Sequence, residues 1–232
     1  MNQIACLTRG YEQKEKYDSL IKRNLAIKEF INQDCKIPLT IFHEGNITDE
    51  QMNYLSDKSG GQILSFIDIS SVWIGGYEGM CRFYTYDFWN YFKEDDLVLR
   101  IDEDCIISKC DTNPFDLIGD SVYLRSVYWA ESHSETNATL PQFIEKLTGA
   151  NSTDFYNGKF PYTNVGLGKV SFFKGIEPVL KRIAQDPLQL ANRWGDLPVL
   201  GSLLNIYAIG KVGALTGMSY RHDSHNVTIN CD

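Results

Sequence analysis

Three adjacent acids, Asp102, Glu103 and Asp104, interrupt an apolar run of the chain. The residues on either side, 97–101 and 105–107, are mostly aliphatic, which is typical of a strand that is buried on both faces. Because unpaired carboxylates are too costly to bury, we expect the acids to face a cleft at the end of this strand. In extended chain Asp102 and Asp104 would point to the same side and could hold Mg²⁺ or Mn²⁺ against a diphosphate. An acidic turn without a metal is the alternative, since this D-x-D pattern alone is common.

Two cationic or mixed segments could complete such a site. Arg82 lies in an aromatic-rich segment and needs an anionic partner there, either a carboxylate or a phosphate. Near the end of the chain, His222 and His225 flank Asp223 in a polar cluster. This cluster predicts a metal or phosphate site or, equally, a solvated surface loop. Asp196 opens an apolar helical pattern, where a carboxylate is favoured by the helix dipole, so capping is its plainest role.

The first third of the chain alternates strand and helix patterns. Short apolar runs at 3–7, 37–42 and 62–68 flank an amphipathic helix at 17–32 and a helix that starts at the capping pair Thr48 and Gln51. This order predicts a parallel sheet with crossover helices, in which ligands bind at the carboxyl ends of the strands. The polar residues Thr8, Arg9 and Glu44 would then share that edge with the acids, as in a nucleotide-type site.

The remainder of the chain carries weaker patterns. We predict a core helix at 80–91, a strand at 121–130, a turn-rich strand at 160–168, and helices at 171–185 and 199–209. The intervening stretch 131–159 is polar and weakly patterned, with one short helix near 141–147. Such a stretch is either a substrate lid or a mobile surface loop.

Size and charge bound the protein class. A chain of 232 residues with 43% hydrophobic content is long enough for one large globular domain, here taken as 1–232. The net charge of −8 argues against non-specific nucleic-acid binding. No stretch approaches the roughly 20 apolar residues of a membrane span, and no signal peptide is evident. The six cysteines are scattered, without a C-x-x-C pair, so we expect a reducing, cytoplasmic setting.

Several blocks together resemble glycosyltransferase family 15, the fungal α-1,2-mannosyltransferases that use GDP-mannose and manganese. The similarity runs from about residue 77 to the end of the chain. The blocks are Met80–Phe83, Leu99–Asp104, Cys110–Phe115, Arg193–Val199 and Gly217–His222, with Cys231 beyond. The resemblance implies a GT-A fold, a Rossmann-like, mixed but mostly parallel sheet flanked by helices. It also implies a nucleotide-sugar-binding half, 1–110, and an acceptor-binding half, 111–232.

Carried over by position, the resemblance implies metal ligation by Asp102, Asp104 and His222, and places Asp196 near the acceptor sugar. One position departs from the family pattern. Gly166 stands where the family has the glutamate that is its proposed nucleophile, so double displacement through that position is excluded. We do not expect the family's membrane anchor in this chain, because no apolar stretch of that length is seen in the sequence. The family's mannose specificity is not assumed either.

The sequence therefore predicts a glycosyltransferase that uses Mn²⁺ or Mg²⁺ and moves a sugar from a GDP- or UDP-linked donor to a hydroxyl of a glycan or glycoprotein acceptor. We expect Asp196 to contact that hydroxyl. The residues predicted to contact the donor are Thr8, Arg9, Glu44, Arg82, Asp102 and Glu103. The alternative is a catalytically inactive relative that binds nucleotide sugars or carbohydrate. A nucleotidyltransferase is disfavoured, because no glycine-rich loop with a lysine follows the first strand.

Overall fold

A seven-stranded sheet forms the centre of the computed structural model, which describes residues 1–231. The strands are β1 (Asn2–Thr8), β2 (Leu39–His43), β3 (Leu64–Asp68), β4 (Leu97–Ile101), β5 (Cys105–Cys110), β6 (Tyr123–Arg125), β7 (Tyr128–Ala130), β8 (Lys159–Pro161), β9 (Val165–Lys169), β10 (Val212–Ala214), β11 (Met218–His222) and β12 (Val227–Asn230). The helices are α1 (Asp18–Phe30), α2 (Asp49–Lys58), α3 (Gly76–Thr85), α4 (Ser134–Thr148), α5 (Ser152–Phe155), α6 (Val170–Gly175), α7 (Glu177–Ala184), α8 (Pro187–Ala191) and α9 (Asp196–Tyr207).

The strand order in the main sheet is β10-β6-β9-β4-β1-β2-β3. All neighbours on the β4-β1-β2-β3 side pair in parallel, as do β6 and β10, whereas β9 runs antiparallel to both β4 and β6. The predicted mixed, mostly parallel sheet with flanking helices is confirmed. The carboxyl ends of β1, β2 and β4 consequently lie along one edge, where ligands bind in sheets of this kind.

Two small antiparallel sheets are built next to that edge. In one, β11 lies between β5 and β12, and its pairing with β5 sets His222 opposite Cys105. In the other, β7 pairs with β8 and sets Trp129 opposite Phe160. The first small sheet brings the chain's C-terminal segment to the residues that follow β4.

The core is divided between the faces of the sheet. One large cluster is strongly aromatic and includes Phe42, Phe83 and Phe88, with Trp89 stacked on Phe173 at a centroid distance of 3.5 Å. The predicted helix at 80–91 supplies much of it, but it is two pieces: α3 and a 3₁₀ turn over Asp87–Tyr91. Its burial explains the aromatic content as core packing.

Four other predicted elements differ in extent, and one of them, the strand predicted at 160–168, is divided into β8 and β9. The strand predicted at 121–130 is two strands, β6 and β7, and the helix predicted at 171–185 is divided into α6 and α7, with Pro178 in the first turn of α7. The polar stretch 131–159 is largely helical: α4 begins at Ser134 and continues through an internal proline, Pro141. Its buried positions, Leu140 and Ile144 among them, are few, so the apolar pattern is weak in the sequence although it suffices to pack the helix.

No helix in residues 1–231 combines the length and the apolar character that crossing a bilayer requires.

Helix α9 packs against β8 through a glycine, which yields a stability prediction. A Cβ at Gly201 would lie 2.5 Å from the Cβ of Phe160. Alanine in place of glycine normally stabilises a helix interior by about 1 kcal/mol. Here we expect Gly201→Ala to lower the free energy of unfolding by about 1–3 kcal/mol, because overpacking must displace β8. Urea denaturation measures the change.

The matched control is Gly175→Ala at the end of α6, where an added Cβ meets no atom within 4 Å and the backbone needs no left-handed conformation. This variant should be neutral or slightly stabilising. Equal stabilisation of both variants would show that α9 and β8 are not held in close contact.

Candidate active site

A tight turn follows β4 and carries the three acids. The backbone N–H of Cys105 donates to the carbonyl of Asp102 at 3.0 Å, so the chain reverses within four residues. The expectation that Asp102 and Asp104 face the same side, as in extended chain, is wrong for this reason. The turn sends the side chains of Asp102, Glu103 and Asp104 to three different sets of partners.

Asp102 is held by a buried arginine. Arg100 Nε and Nη2 donate to the two carboxylate oxygens of Asp102 at 2.8 and 3.1 Å, and Arg100 Nη1 donates to Asp196 Oδ2 at 2.5 Å. The guanidinium lies 3.3 Å from the ring centroid of Tyr84. Burial opposes the charge on Arg100, but Asp102 and Asp196 outweigh it and keep the pKa of Arg100 well above its ordinary value. One cation therefore joins the end of β4 to α9.

Asp196 is the first residue of α9, but it does not cap the helix. Its side chain makes no cap hydrogen bond, and Gly195 occupies the N-cap position. The side chain is instead directed to Arg100 and lines an open cleft. The capping role that the sequence allows for Asp196 is thus not the one that the structure shows.

Asp104 meets His222 on the opposite strand. Asp104 Oδ2 lies 3.3 Å from His222 Nε2 and accepts a hydrogen bond from the backbone N–H of Ser224 at 3.3 Å. Burial raises the pKa of Asp104, but the hydrogen bonds from His222 and Ser224 dominate and lower it to about 2. Asp104 is therefore ionised at neutral pH. The other ring nitrogen of His222, Nδ1, lies 2.9 Å from the hydroxyl oxygen of Tyr162, which fixes the orientation of the imidazole.

The ligand atoms of Asp104, Cys105 and His222 lie within 4.8 Å of one another, and in residues 1–231 they form the group with the spacing of a metal site. Carboxylate oxygen and imidazole nitrogen suit Mn²⁺ or Mg²⁺. Burial raises the pKa of Cys105 well above its ordinary value, so its sulfur stays a thiol and is a poor ligand for these ions. Asp104 and His222 thus fit a metal, whereas Asp102 lies outside this group because Arg100 engages both of its oxygens.

Glu103 points back toward β1. It accepts hydrogen bonds from the hydroxyl groups of Thr8 and Tyr11, the latter at 2.9 Å. Burial raises the pKa of Glu103, and the two hydroxyl donors oppose that shift. Arg9 is exposed beside Thr8. Sequence analysis missed Tyr11, which lies in a loop without any regular pattern.

The remaining predicted donor contacts lie apart from the acids. Glu44 is half-buried directly after β2, whose last residue, His43, pairs with Thr8, so Glu44 shares the edge with Thr8. Arg82 lies on α3 with its Nε 3.9 Å from Asp87 Oδ2. The carboxylate partner of Arg82 is thus Asp87, and the arginine that binds the acidic turn is Arg100. The sequence does contain a sign of this role, because Arg100 is a single cation within an apolar strand pattern and therefore needs a buried anionic partner.

A cleft of about 250 Å³ opens beside Arg100 and Asp102. Its lining combines acids, amides and aromatic rings, as small-ligand sites do. The lining residues are Tyr77, Met80, Arg100, Asp102, Trp129, Ala130, Glu131, Ser132, Tyr162, Thr163, Asn164, Asp196, Leu197 and His225.

Gly166 lies next to this cleft, under a tyrosine. A Cβ at Gly166 would lie 2.0 Å from the hydroxyl oxygen of Tyr123, so the phenol occupies the volume that a side chain at 166 would need. Where the family pattern has a glutamate, this chain therefore has a glycine whose side-chain space is filled by Tyr123.

Comparison with solved structures identifies the architecture. Core-mannan synthase A (CmsA/Ktr4) from Aspergillus fumigatus, in its Mn/GDP form, matches with a TM-score of 0.78 at 16% identity, over 95% of this chain and 74% of that one. The mannosyltransferase Ktr4p from S. cerevisiae matches with the same TM-score and identity, over 95% and 70% of the two chains. Mouse xyloside xylosyltransferase 1 matches with a TM-score of 0.52 at 11% identity, over 93% and 85%.

The chain has the GT-A fold. The resemblance to the family 15 mannosyltransferases that the sequence motifs indicate is confirmed at the level of the fold. No family model matches the sequence, and no curated protein sequence matches it.

The buried ion cluster predicts a pH-dependent loss of stability. In Arg100→Met, Asp102 and Asp196 lose the cation that compensates for their burial, and we expect the free energy of unfolding to fall by about 3–5 kcal/mol at pH 7. Burial already raises the pKa of Asp102, and without Arg100 it should rise further. The folded variant then binds more protons than the unfolded chain, so its stability falls as pH rises. Urea denaturation at pH 4 should consequently show a smaller loss than at pH 7.

Arg221→Met is the control, because Arg221 pairs with Asp223 at 2.6 Å but its side chain is 56% exposed. It should change stability by less than about 1 kcal/mol. Adding Asp102→Asn to Arg100→Met should restore part of the loss. An Arg100→Met variant as stable as the parent chain at pH 7 would contradict the cluster.

Proposed function

We propose that this protein is a metal-dependent glycosyltransferase that moves a hexose from a nucleoside-diphosphate sugar to a hydroxyl of a glycan acceptor. The observation that carries the proposal is the meeting of Asp104 and His222 at the carboxyl edge of the sheet, beside a cleft lined by Asp196 and Arg100. The GT-A fold supports it, as do one neighbour named as core-mannan synthase A in a Mn/GDP form and a second named as a mannosyltransferase. GDP-mannose is therefore the first donor to test.

On the donor side, Asp104 and His222 would hold the ion, and the hydroxyl of Tyr162 would keep the imidazole aligned. A divalent ion bound there would act as a Lewis acid and stabilise the negative charge of the leaving diphosphate. Asp102 supports this site from the neighbouring turn position by fixing Arg100. Thr8, Arg9, Glu44 and Glu103 line the adjoining part of the edge, where we place the nucleoside.

On the acceptor side, Asp196 is the proposed contact. One of its oxygens is bound to Arg100, and the side chain faces the cleft, so the other can accept a hydrogen bond from a sugar hydroxyl. In an inverting reaction, Asp196 would take the proton of that hydroxyl. In a retaining reaction, with no carboxylate at 166, the leaving phosphate would assist attack from the same face, and Asp196 would orient the hydroxyl.

A second candidate is a protein that binds nucleotide sugar without transferring it. Two observations favour it: Tyr123 fills the place of a side chain at Gly166, and the carboxylates of Asp102 and Asp196 are both paired with the same arginine. Arg100 therefore occupies oxygens of both carboxylates that a substrate hydroxyl would otherwise contact. Binding is common to both candidates, and turnover separates them.

Donor binding should depend on Asp104. With Mn²⁺ present, we expect GDP-mannose to raise the thermal unfolding temperature of the parent chain and not that of Asp104→Ala, because the carboxylate that would hold the ion is gone. Transfer or donor hydrolysis should fall by about a hundredfold or more.

Asp111→Ala is the matched control, since Asp111 is an exposed acid that pairs with Lys109 away from the turn. It should keep the thermal shift and the turnover. If Asp104→Ala retained both in Mn²⁺, the metal assignment would be wrong.

Asp196→Asn should separate donor binding from transfer. Its carboxamide can no longer take a proton, so we expect the Mn²⁺-dependent thermal shift with GDP-mannose to persist while transfer to acceptor falls by about 10²–10⁴-fold if Asp196 is the general base. Transfer is measured by initial-rate kinetics with varied acceptor concentration, and the unfolding temperature is measured on the same sample. A variant that is merely less stable, with normal turnover below its unfolding temperature, would assign Asp196 to structure through Arg100.

A further inference from the structure

We infer that Trp129 is a stacking platform for a sugar ring of the acceptor. The inference deepens the proposed function and rests on it. It concerns the rim of the cleft, which lies outside the acidic turn 102–104 and the metal-type group of Asp104, Cys105 and His222.

Trp129 is held in place on one side and open on the other. It lies on β7, the strand that pairs with β8, and its indole stacks on the ring of Tyr162 with centroids 4.9 Å apart and planes 17° apart. Tyr162 in turn is fixed by its contact with His222 Nδ1. Even so, Trp129 stays 37% exposed and lines the cleft. A large indole that is rigidly supported and still open to solvent is poised to contact a ligand.

The surroundings of Trp129 match the chemistry of a pyranose. A sugar ring offers C–H groups on its faces and hydroxyl groups around its edge. The cleft offers an aromatic face at Trp129 and hydrogen-bonding side chains at Glu131, Ser132 and Asn164. Its volume of about 250 Å³ lies just below the range of about 300–1,000 Å³ that drug-sized ligands fill. It therefore suits a ring or two of a longer glycan that continues into solvent.

The position of Trp129 favours the acceptor over the donor. His222, proposed to hold the metal ion, and Asp196, proposed to act on the hydroxyl, are nearly completely buried. Trp129 belongs instead to an exposed strand at the mouth of the cleft and continues into exposed Ala130 and Ser132. A donor sugar tied to a bound diphosphate would occupy the interior, whereas a glycan must enter through this rim.

Kinetics provide the first test, with mannobiose as acceptor and GDP-mannose with Mn²⁺ as donor. We expect Trp129→Ala to raise the KM for mannobiose by about tenfold and to leave the KM for GDP-mannose unchanged, while Trp129→Phe keeps most of the acceptor affinity. The matched control is Tyr128→Ala. Tyr128 is 47% exposed on the same strand, but alternation directs it to the opposite face, where it stacks on Arg125. An equal rise in acceptor KM for Tyr128→Ala, or a rise confined to the donor KM in Trp129→Ala, would overturn the proposal.

A second measurement does not depend on turnover. Titration of the parent chain with mannobiose should change its tryptophan fluorescence, and this change should vanish in Trp129→Phe. Sorbitol, a polyol without a ring, should have no effect. Calorimetry should show that Trp129→Ala binds mannobiose about tenfold more weakly than the parent chain. Unaltered affinity in a Trp129→Ala variant of normal unfolding temperature would refute the platform. Failure of the proposed function is separate, because it would appear in the parent chain as no transfer and no Mn²⁺-dependent shift with GDP-mannose.

Discussion

The site is organised by a single buried cation. Arg100 donates to Asp102 through two nitrogens and to Asp196 through the third, and its guanidinium lies over the ring of Tyr84. Two carboxylates this deep in the protein require a compensating charge, and a planar guanidinium with several fixed donors can serve both at once. Because Asp102 follows β4 and Asp196 begins α9, this contact sets the distance between the acidic turn and the start of α9. Both contacts need the positive charge of Arg100, which lines the cleft together with the two acids.

The second constraint is the turn after β4, which directs the side chains of three consecutive acids to different partners. Asp102 joins the arginine cluster, Glu103 is held by hydroxyl donors from the β1 side, and Asp104 meets His222. In a continued strand two of these side chains would share one face and repel each other. The reversal places each carboxylate with its own positive or hydrogen-bonding partner. Only Asp104 is left with a group whose geometry suits a metal, so the ligand set is narrower than the D-x-D spacing predicts.

The sequence specified local structure better than long-range pairing. The alternation of strands and helices in the first third, helix α1 and the capping box of α2, made by Thr48 and Gln51, are encoded by neighbouring residues and were predictable. The polar cluster around His222 left a metal site and a surface loop equally open, and the likeness of the C-terminal block to a family motif decided between them. Arg100 and Tyr11 escaped notice, because the value of each depends on partners that the fold brings from far along the chain. The pairing of β11 with β5 that delivers His222 has no local signature.

The glycine at 166 fits its surroundings, because the phenol of Tyr123 fills the space that a side chain there would need. On β9 it lies between Arg100 on β4 and Arg125 on β6, two strands whose side chains are large. The hydroxyl of Tyr123 occupies the space above it, and the two residues line a small cavity together with Arg100. A carboxylate at 166 would both collide with the phenol and add a third acid to a cluster with one arginine. Tyr123 is neutral, so Arg100 remains paired with two acids only. Any transfer reaction in this cleft must therefore proceed without a nucleophile at position 166 of β9.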